Sequence, residues 1–165
     1  MTLRAGVLLI VAAALACAMR GGPSPVRDFV RTTVTLAAGT ARAAQVVAEV
    51  ASTQPARERG LGGRERLGRD EGMLFAYPHE APRTYWMKDC LIGLDIAFVG
   101  PDRRILNVAT LPAGAGLDDL KIARAESSGS SLYVLETNAG WFERHGIVVG
   151  DTLTFDAAMD RLAPR

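Results

Sequence analysis

The stretch Leu94-Asp-Ile-Ala-Phe-Val-Gly-Pro-Asp-Arg-Arg-Ile-Leu-Asn-Val-Ala-Thr-Leu111 decides the fold class of this 165-residue chain. Two apolar runs, Leu94–Val99 and Arg104–Leu111, contain β-branched and aromatic residues that predict strands. The tripeptide Gly100-Pro-Asp102 between them is typical of a tight turn. The stretch therefore predicts two strands joined by a turn in the middle of the chain.

Similar segments lie on both sides of this stretch. Six further strands are predicted: Thr32–Leu36, Ala44–Ala51, Met73–Tyr77, Thr84–Cys90, Leu132–Thr137 and Thr152–Phe155. Helical patterns are short, with Ala56–Leu61 following the N-cap Thr53, and a second helix running from the N-cap Asn138 to His145. A helix-covered parallel sheet needs longer crossovers than these. The sequence therefore predicts a mainly β, α+β domain: a small curled sheet or barrel-like fold with two or three short helices.

The N-terminal residues predict an export signal rather than part of the fold. Arg4 is followed by the apolar run Ala5–Ala16, which is shorter than the roughly twenty residues that span a membrane. This pattern predicts a signal peptide over residues 1–18. Lipidation of Cys17 stays open as an alternative. We expect an exported protein, periplasmic or extracellular, that contacts the membrane only through the signal peptide or a lipid anchor.

The rest of the chain divides by composition. Glycines and prolines predict a flexible tether over 19–31, followed by a single β-rich domain over 32–158 and a C-terminal tail over 159–165. Within the domain, Pro112–Ser131 predicts a long loop, with a brief helix over Leu117–Ala125 as the alternative. Cys90 has no thiol partner in the mature chain if Cys17 is removed or lipidated, and it is predicted to fill the core.

Nineteen basic and eighteen acidic side chains leave a formal charge of +1. Such a balance gives no field that would attract a nucleic acid, so no nucleic-acid partner is expected. His79 and His145 are far apart in sequence and have no cysteine or carboxylate at ligand spacing, so no metal site is predicted. Gly60–Gly63 lacks the lysine and hydroxyl residue of a phosphate loop, and no cofactor is expected.

Several motifs resemble a known family. They are Gly72-Met-Leu-Phe75, Tyr85-Trp-Met-Lys-Asp89, Leu94-Asp-Ile96 and Val134-Leu-Glu-Thr-Asn-Ala-Gly140, with weaker matches at Glu49-Val-Ala51, Arg57–Leu61 and Gly150-Asp151. Together they resemble the domain-of-unknown-function family 192, a family of small and often exported proteins, from about Val34 to Phe155. The resemblance implies a compact β-rich fold and supplies no activity.

The chain departs from the family pattern at four positions. The family usually has asparagine and threonine where this chain has Asp89 and Cys90, and proline where it has Gly93. A methionine expected after Gly60-Leu61 is Gly62. These departures weaken the transfer of any site from the family to this chain.

A set of charged and aromatic residues is the candidate site. Strand alternation places Trp86 and Lys88 on one face of their strand and Tyr85, Met87 and Asp89 on the other. Asp95 begins an apolar strand, so its carboxylate is expected at a sheet rim, where it can pair with Lys88 at the mouth of a pocket. Glu136 points toward apolar neighbours and needs a partner, for which Arg59 and Lys88 are the candidates.

Three interpretations of this set remain open: a structural ion-pair network, anchoring of a ligand, and acid-base catalysis by Asp95 and Glu136. The preferred hypothesis is a non-enzymatic module of the cell envelope that binds a small polar or glycan-like ligand near Trp86, Lys88 and Asp95. One alternative is a hydrolase that uses Asp95 and Glu136. The other is an interaction or accessory protein that works through a sheet edge or the Pro112–Ser131 loop.

Overall fold

The computed structural model describes residues 29–161. The predicted signal peptide, Cys17 and most of the predicted tether lie outside the described residues. Between residues 29 and 161, no helix is both long enough and apolar enough to cross a membrane.

The described residues form a mainly β structure, as predicted. The strands are β1 (Val30–Leu36), β2 (Ala44–Ala51), β3 (Glu71–Ala81), β4 (Thr84–Trp86), β5 (Leu94–Val99), β6 (Ile105–Leu111), β7 (Arg124–Glu126), β8 (Ser131–Asn138) and β9 (Leu153–Thr154). The helices are α1 (Gln54–Arg59), α2 (Trp141–Arg144) and a 3-10 helix (Ala157–Arg161). β2 and β5 have the predicted bounds.

Seven strands make one curled sheet in the order β6-β5-β8-β3-β2-β1-β9. Neighbouring strands in this sheet run antiparallel, except for β2 and β3, which are parallel. An isolated bridge joins Arg104, just before β6, to Thr152, just before β9. The two edges of the sheet therefore meet at one end, which gives the barrel-like shape that the sequence predicts.

Both faces of the sheet are covered, and successive residues of a strand face opposite clusters. On β3, Leu74 and Ala76 belong to one apolar cluster, which we call the inner core and which also holds Trp141 and Phe142 of α2. Met73 and Phe75 belong to a second cluster, which we call the outer cluster. Burial on both faces explains why β5 is an unbroken apolar run apart from one carboxylate.

Some element boundaries differ from the predictions. β4 ends at Trp86, and the three residues that follow turn back, with Asp89 in the left-handed region at a φ of 58°. The alternative helix over Leu117–Ala125 is wrong, because Arg124–Glu126 forms β7 and pairs with β4 in a small two-stranded sheet. In both cases the pairing of β4 with a distant segment decided the local structure.

The chain ends also differ. β1 begins at Val30, inside the predicted tether. α2 begins after Gly140, which has a φ of 75°, and not after the predicted cap Asn138, because Asn138 still belongs to β8. Met159 is buried in the inner core, so the C-terminal tail does not begin at the predicted residue 159.

Candidate functional site

A pocket of about 160 Å³ opens on the outer-cluster side of the sheet, between α1, β3, β4 and β8. It brings together four of the five predicted site residues, namely Arg59, Trp86, Lys88 and Glu136. A neighbouring depression of about 280 Å³ shares Arg59, Trp86 and Lys88 with it. The two cavities therefore form one groove, which we call the Glu136 groove.

Glu136 lies deepest among these side chains. It follows Val134 by two positions on β8, so it points to the outer cluster between neighbouring strands β3 and β5. Gly72 lets β3 pack closely against β8 at Glu136, because a Cβ atom at Gly72 would clash with the carbonyl oxygen of Glu136. Glu136 is only 6% exposed.

The Glu136 carboxyl group makes no hydrogen bond and no ion pair with any residue between 29 and 161. Burial raises its pKa from 4.5 to about 8, because water no longer solvates the ionised form. At neutral pH the group is therefore mainly a neutral acid that can donate one hydrogen bond and accept others. The prediction that Arg59 or Lys88 pairs with Glu136 is wrong.

The helix α1 positions the arginines of the groove. The Thr53 hydroxyl accepts from the amide of Ala56, and Pro55 occupies the first turn, as predicted. The Arg57 guanidinium donates to the carbonyl oxygens of Ser52 and Ala76, which ties the helix to the middle of β3. Arg59 is exposed and makes no hydrogen bond or ion pair with the part of the chain that the structure describes.

Aromatic side chains form the wall of the groove. The hydroxyl groups of Tyr77 and Tyr85 lie 2.8 Å apart, and the Tyr85 ring meets Phe75 edge-on at 5.1 Å between ring centres. Burial raises the pKa of Tyr85 well above its usual value, so its hydroxyl stays protonated. The guanidinium of Arg83 lies 3.5 Å from the centre of the Tyr77 ring and fixes the outer side of the wall.

Trp86 and Lys88 lie together at the rim, although Lys88 belongs to the turn after β4 and not to the strand that was predicted to hold both residues. Trp86 is 46% exposed, and the Lys88 ammonium group is 5.0 Å from the centre of its ring. Lys88 pairs with Asp119 at 3.3 Å, and this partner lies in the long loop. The prediction that Lys88 pairs with Asp95 is wrong.

Asp95 does not belong to the groove. It is 1% exposed, and its side chain points to the inner-core side of the sheet. Its oxygens accept hydrogen bonds from the Thr110 hydroxyl at 2.6 Å and from the amides of Gly140 and Phe142 at 2.9 and 3.1 Å. The carboxylate therefore holds the start of α2 against the sheet, and the expected rim position is wrong.

Sequence reasoning missed several lining residues. Cys90 is buried beside the groove, where burial raises its pKa to about 11 and keeps the thiol protonated. Arg57 and Tyr77 also line the groove. The signal for Tyr77 was present, because β3 places it on the same face as Met73 and Phe75. Within residues 29–161, no group of three or more metal-ligating side chains occurs.

The comparisons with known proteins agree with the resemblance carried by the motifs. The model of the DUF192 family, described as an uncharacterized ACR, matches residues 33–155. The chain belongs to the DUF192 family. None of the curated proteins matches the sequence.

Two solved structures are similar to this DUF192 chain. A protein from Sinorhizobium meliloti 1021, described as a proposed transcription regulator, is 31% identical with a TM-score of 0.68, and the match covers 77% of this chain and 95% of that one. A protein of unknown function from Novosphingobium aromaticivorans DSM 12444 is 33% identical with a TM-score of 0.69, covering 79% and 89%.

Three of the departures from the DUF192 pattern border the groove. Asp89 and Gly62 line the neighbouring depression, and Cys90 lines the pocket itself. Asparagine and aspartate are among the side chains that best tolerate the left-handed conformation, so Asp89 preserves the turn after β4. The turn after β4 therefore keeps its conformation, whereas Gly62 and Cys90 change the side chains that line the groove.

Proposed function

We propose that this DUF192 protein is an exported, non-enzymatic module of the cell envelope that binds a small polar or glycan-like molecule in the Glu136 groove. The observation that carries the proposal is the unpartnered Glu136 carboxyl group. This carboxyl group keeps a small contact with solvent at the open groove. A ligand that replaces this solvent with a direct hydrogen bond gains a polar contact within a mostly apolar site.

The other lining residues support the same function. Trp86 offers an exposed ring at the rim, against which a sugar or another flat ligand can pack. Arg59 and Lys88 add cationic groups on the same side. A concave site with apolar walls and a few converging polar groups is the usual form of a small-molecule site.

The hydrolase alternative fails in the form in which Asp95 and Glu136 act as a pair. In the register of β5 with β8, Ile96 and not Asp95 lies opposite Glu136. The two carboxyl groups therefore point to opposite faces of the sheet, and no substrate can lie between them.

A protein-interaction role is the second candidate, and one observation favours it. The long loop after β6 exposes Leu120 by 96% and Leu117 by 46%, and Leu91 nearby is 47% exposed. Exposed apolar side chains of this kind are common at interaction surfaces. Replacing Leu117 and Leu120 by serine tests this candidate separately, because neither residue lines the Glu136 groove.

Thermal unfolding of the protein in the presence of sugars, peptidoglycan fragments, amino acids and metal salts tests the binding function. A ligand at 100 times its Kd adds about 2.7 kcal/mol, which raises Tm by several degrees. We expect at least one compound to raise Tm in the wild-type protein and to lose its effect in Arg59→Ala and Lys88→Ala. The matched controls are Arg69→Ala and Lys121→Ala, which remove an exposed arginine and lysine outside the groove.

Two outcomes contradict the binding function. The first is that no compound raises Tm. The second is that the increase survives in Arg59→Ala and Lys88→Ala to the same extent as in the controls. Fractionation of the producing cells, with sequencing of the mature N-terminus, tests export separately. Full-length protein in the cytoplasm would contradict that part of the proposal.

A further inference from the structure

The Glu136 groove is lined by more cationic than anionic side chains. Three cationic side chains line it, Arg57, Arg59 and Lys88. Two further carboxylates line the groove: Glu58, which is exposed and bonded to Gln54, and Asp89 in the neighbouring depression. With Glu136 neutral, three cationic groups against two carboxylates leave an excess of one positive charge, which favours an anion.

The three cationic side chains differ in whether they already have hydrogen-bond or ion-pair partners. Arg57 donates to two backbone carbonyl oxygens, and Lys88 pairs with Asp119. Arg59 has no such partner within the described part of the chain. A guanidinium group binds a carboxylate through two parallel hydrogen bonds, so Arg59 is the natural anchor for an acidic group of the ligand.

Glu136, the deepest group of the groove, favours a hydroxyl group as its partner and not an anion. A protonated carboxyl group can donate to and accept from a hydroxyl group, whereas a second anion beside it would suppress its ionisation further. Glu136 shares the pocket with Tyr85 and Cys90, whose pKa values are raised by burial, so that both are neutral at pH 7. A hydroxyl group of the ligand is therefore the best match for the inner end of the groove.

We propose that the ligand is a hydroxylated anion of the sugar-acid class, with its carboxylate on Arg59 and Lys88 and a hydroxyl group on Glu136. This inference rests on the proposed binding function and narrows it. Trp86 at the rim and Glu136 at the inner end both line the pocket, so a ligand that enters past the Trp86 ring approaches Glu136. A cationic sugar would meet the excess positive charge, and a neutral sugar would leave Arg59 unused.

The proposal predicts how binding depends on pH. Glu136 ionises around pH 8, and its negative charge then opposes the anionic ligand. The charged and titratable groups that line the groove with it are Arg57, Glu58 and Arg59 on α1, Tyr77 on β3, Tyr85 on β4, and Lys88, Asp89 and Cys90 after β4. Of these, burial keeps Tyr85 and Cys90 protonated to well above pH 8. The loss of affinity above pH 8 should therefore follow the ionisation of Glu136.

Calorimetric titration with D-glucuronate, D-glucose and D-glucosamine tests the inference, because the three probes share one ring and differ in charge. At pH 6.5 we expect glucuronate to bind at least about tenfold more tightly than the other two, the difference that one charge-assisted hydrogen bond makes. Arg59→Ala should lose this preference and Arg69→Ala should keep it. Glu136→Gln should lose the pH dependence, so that its Kd for glucuronate is the same at pH 6.5 and pH 9, whereas the wild-type Kd rises between these pH values.

The outcomes separate this inference from the binding function. Tighter binding of glucose or glucosamine, lost in Arg59→Ala or Lys88→Ala, overturns the anionic ligand and leaves the groove as a binding site. Glucuronate binding that survives in Arg59→Ala overturns the proposed anchor. Binding of none of the three probes overturns the sugar-acid class, and the wider set of compounds in the Tm experiment then decides whether the groove binds anything.

Discussion

Asp95 and Glu136 are both carboxyl groups on neighbouring, buried strands, yet they have opposite surroundings. Asp95 accepts from one hydroxyl group and two backbone amides on the inner-core side. Glu136 faces the other side of the sheet and has no partner within residues 29–161. A shift of one residue in strand register separates a carboxylate that holds the fold together from an acid that is open to a ligand.

The largest expected effect comes from the pH dependence of stability at Glu136. Its pKa is raised in the folded state, so the folded protein keeps a proton that the unfolded chain releases near pH 4.5. This group therefore contributes most to stability below about pH 4.5, and its contribution is lost as the pH rises to about 8. Between pH 5 and pH 9 the free energy of unfolding should fall by about 4 kcal/mol, since one pKa unit corresponds to about 1.4 kcal/mol.

Glu136→Gln should remove this pH dependence and leave the protein more stable than wild type at pH 9. Urea denaturation at several pH values measures the difference between the two proteins. Glu58→Gln, which changes an exposed carboxylate at the rim, is the control and should run parallel to wild type. If the free energy of unfolding of Glu136→Gln runs parallel to that of wild type over this pH range, Glu136 does not differ from Asp95 in the way described.

Asp95→Ala should have the next largest effect and the opposite sign. Removal of the carboxylate leaves the amides of Gly140 and Phe142 without an acceptor at the start of α2, and each unsatisfied buried group costs about 1–3 kcal/mol. We expect a loss of about 3 kcal/mol in the free energy of unfolding, measured by urea denaturation at pH 7. A loss below about 1 kcal/mol would mean that Asp95 is not the structural member of the pair.

The smallest effects are expected at the rim. Lys88→Ala breaks an ion pair with Asp119 whose side chains are 43% and 63% exposed, and such pairs contribute at most about 1 kcal/mol. Arg59→Ala breaks no hydrogen bond or ion pair within the described residues. Both variants should unfold within about 1 kcal/mol of wild type while they lose ligand binding. Substantial unfolding of either variant would favour a structural role for the rim.

The sequence predicted the sheet better than the site. Apolar, β-branched runs and the turn at Gly100-Pro-Asp102 located β5 and β6. Lys88 does lie beside Trp86, but through the turn after β4 and not by strand alternation. The partners of the charged residues could not be predicted, because Lys88 meets Asp119 from a loop 31 residues away in sequence and Asp95 meets the start of α2. Those contacts depend on how distant segments pack, which periodicity within a strand does not record.

The most direct test of the account is the pKa of Glu136, measured by ¹³C NMR of the glutamate side-chain carboxyl groups over pH 4 to 10. The signal that disappears in Glu136→Gln assigns the residue. The account predicts a pKa of about 8, as expected for a buried acid without a partner at the inner end of a binding groove. A pKa near the ordinary value of 4.5 would mean that Glu136 is solvated or paired, and it would contradict the claim that this carboxyl group awaits a ligand.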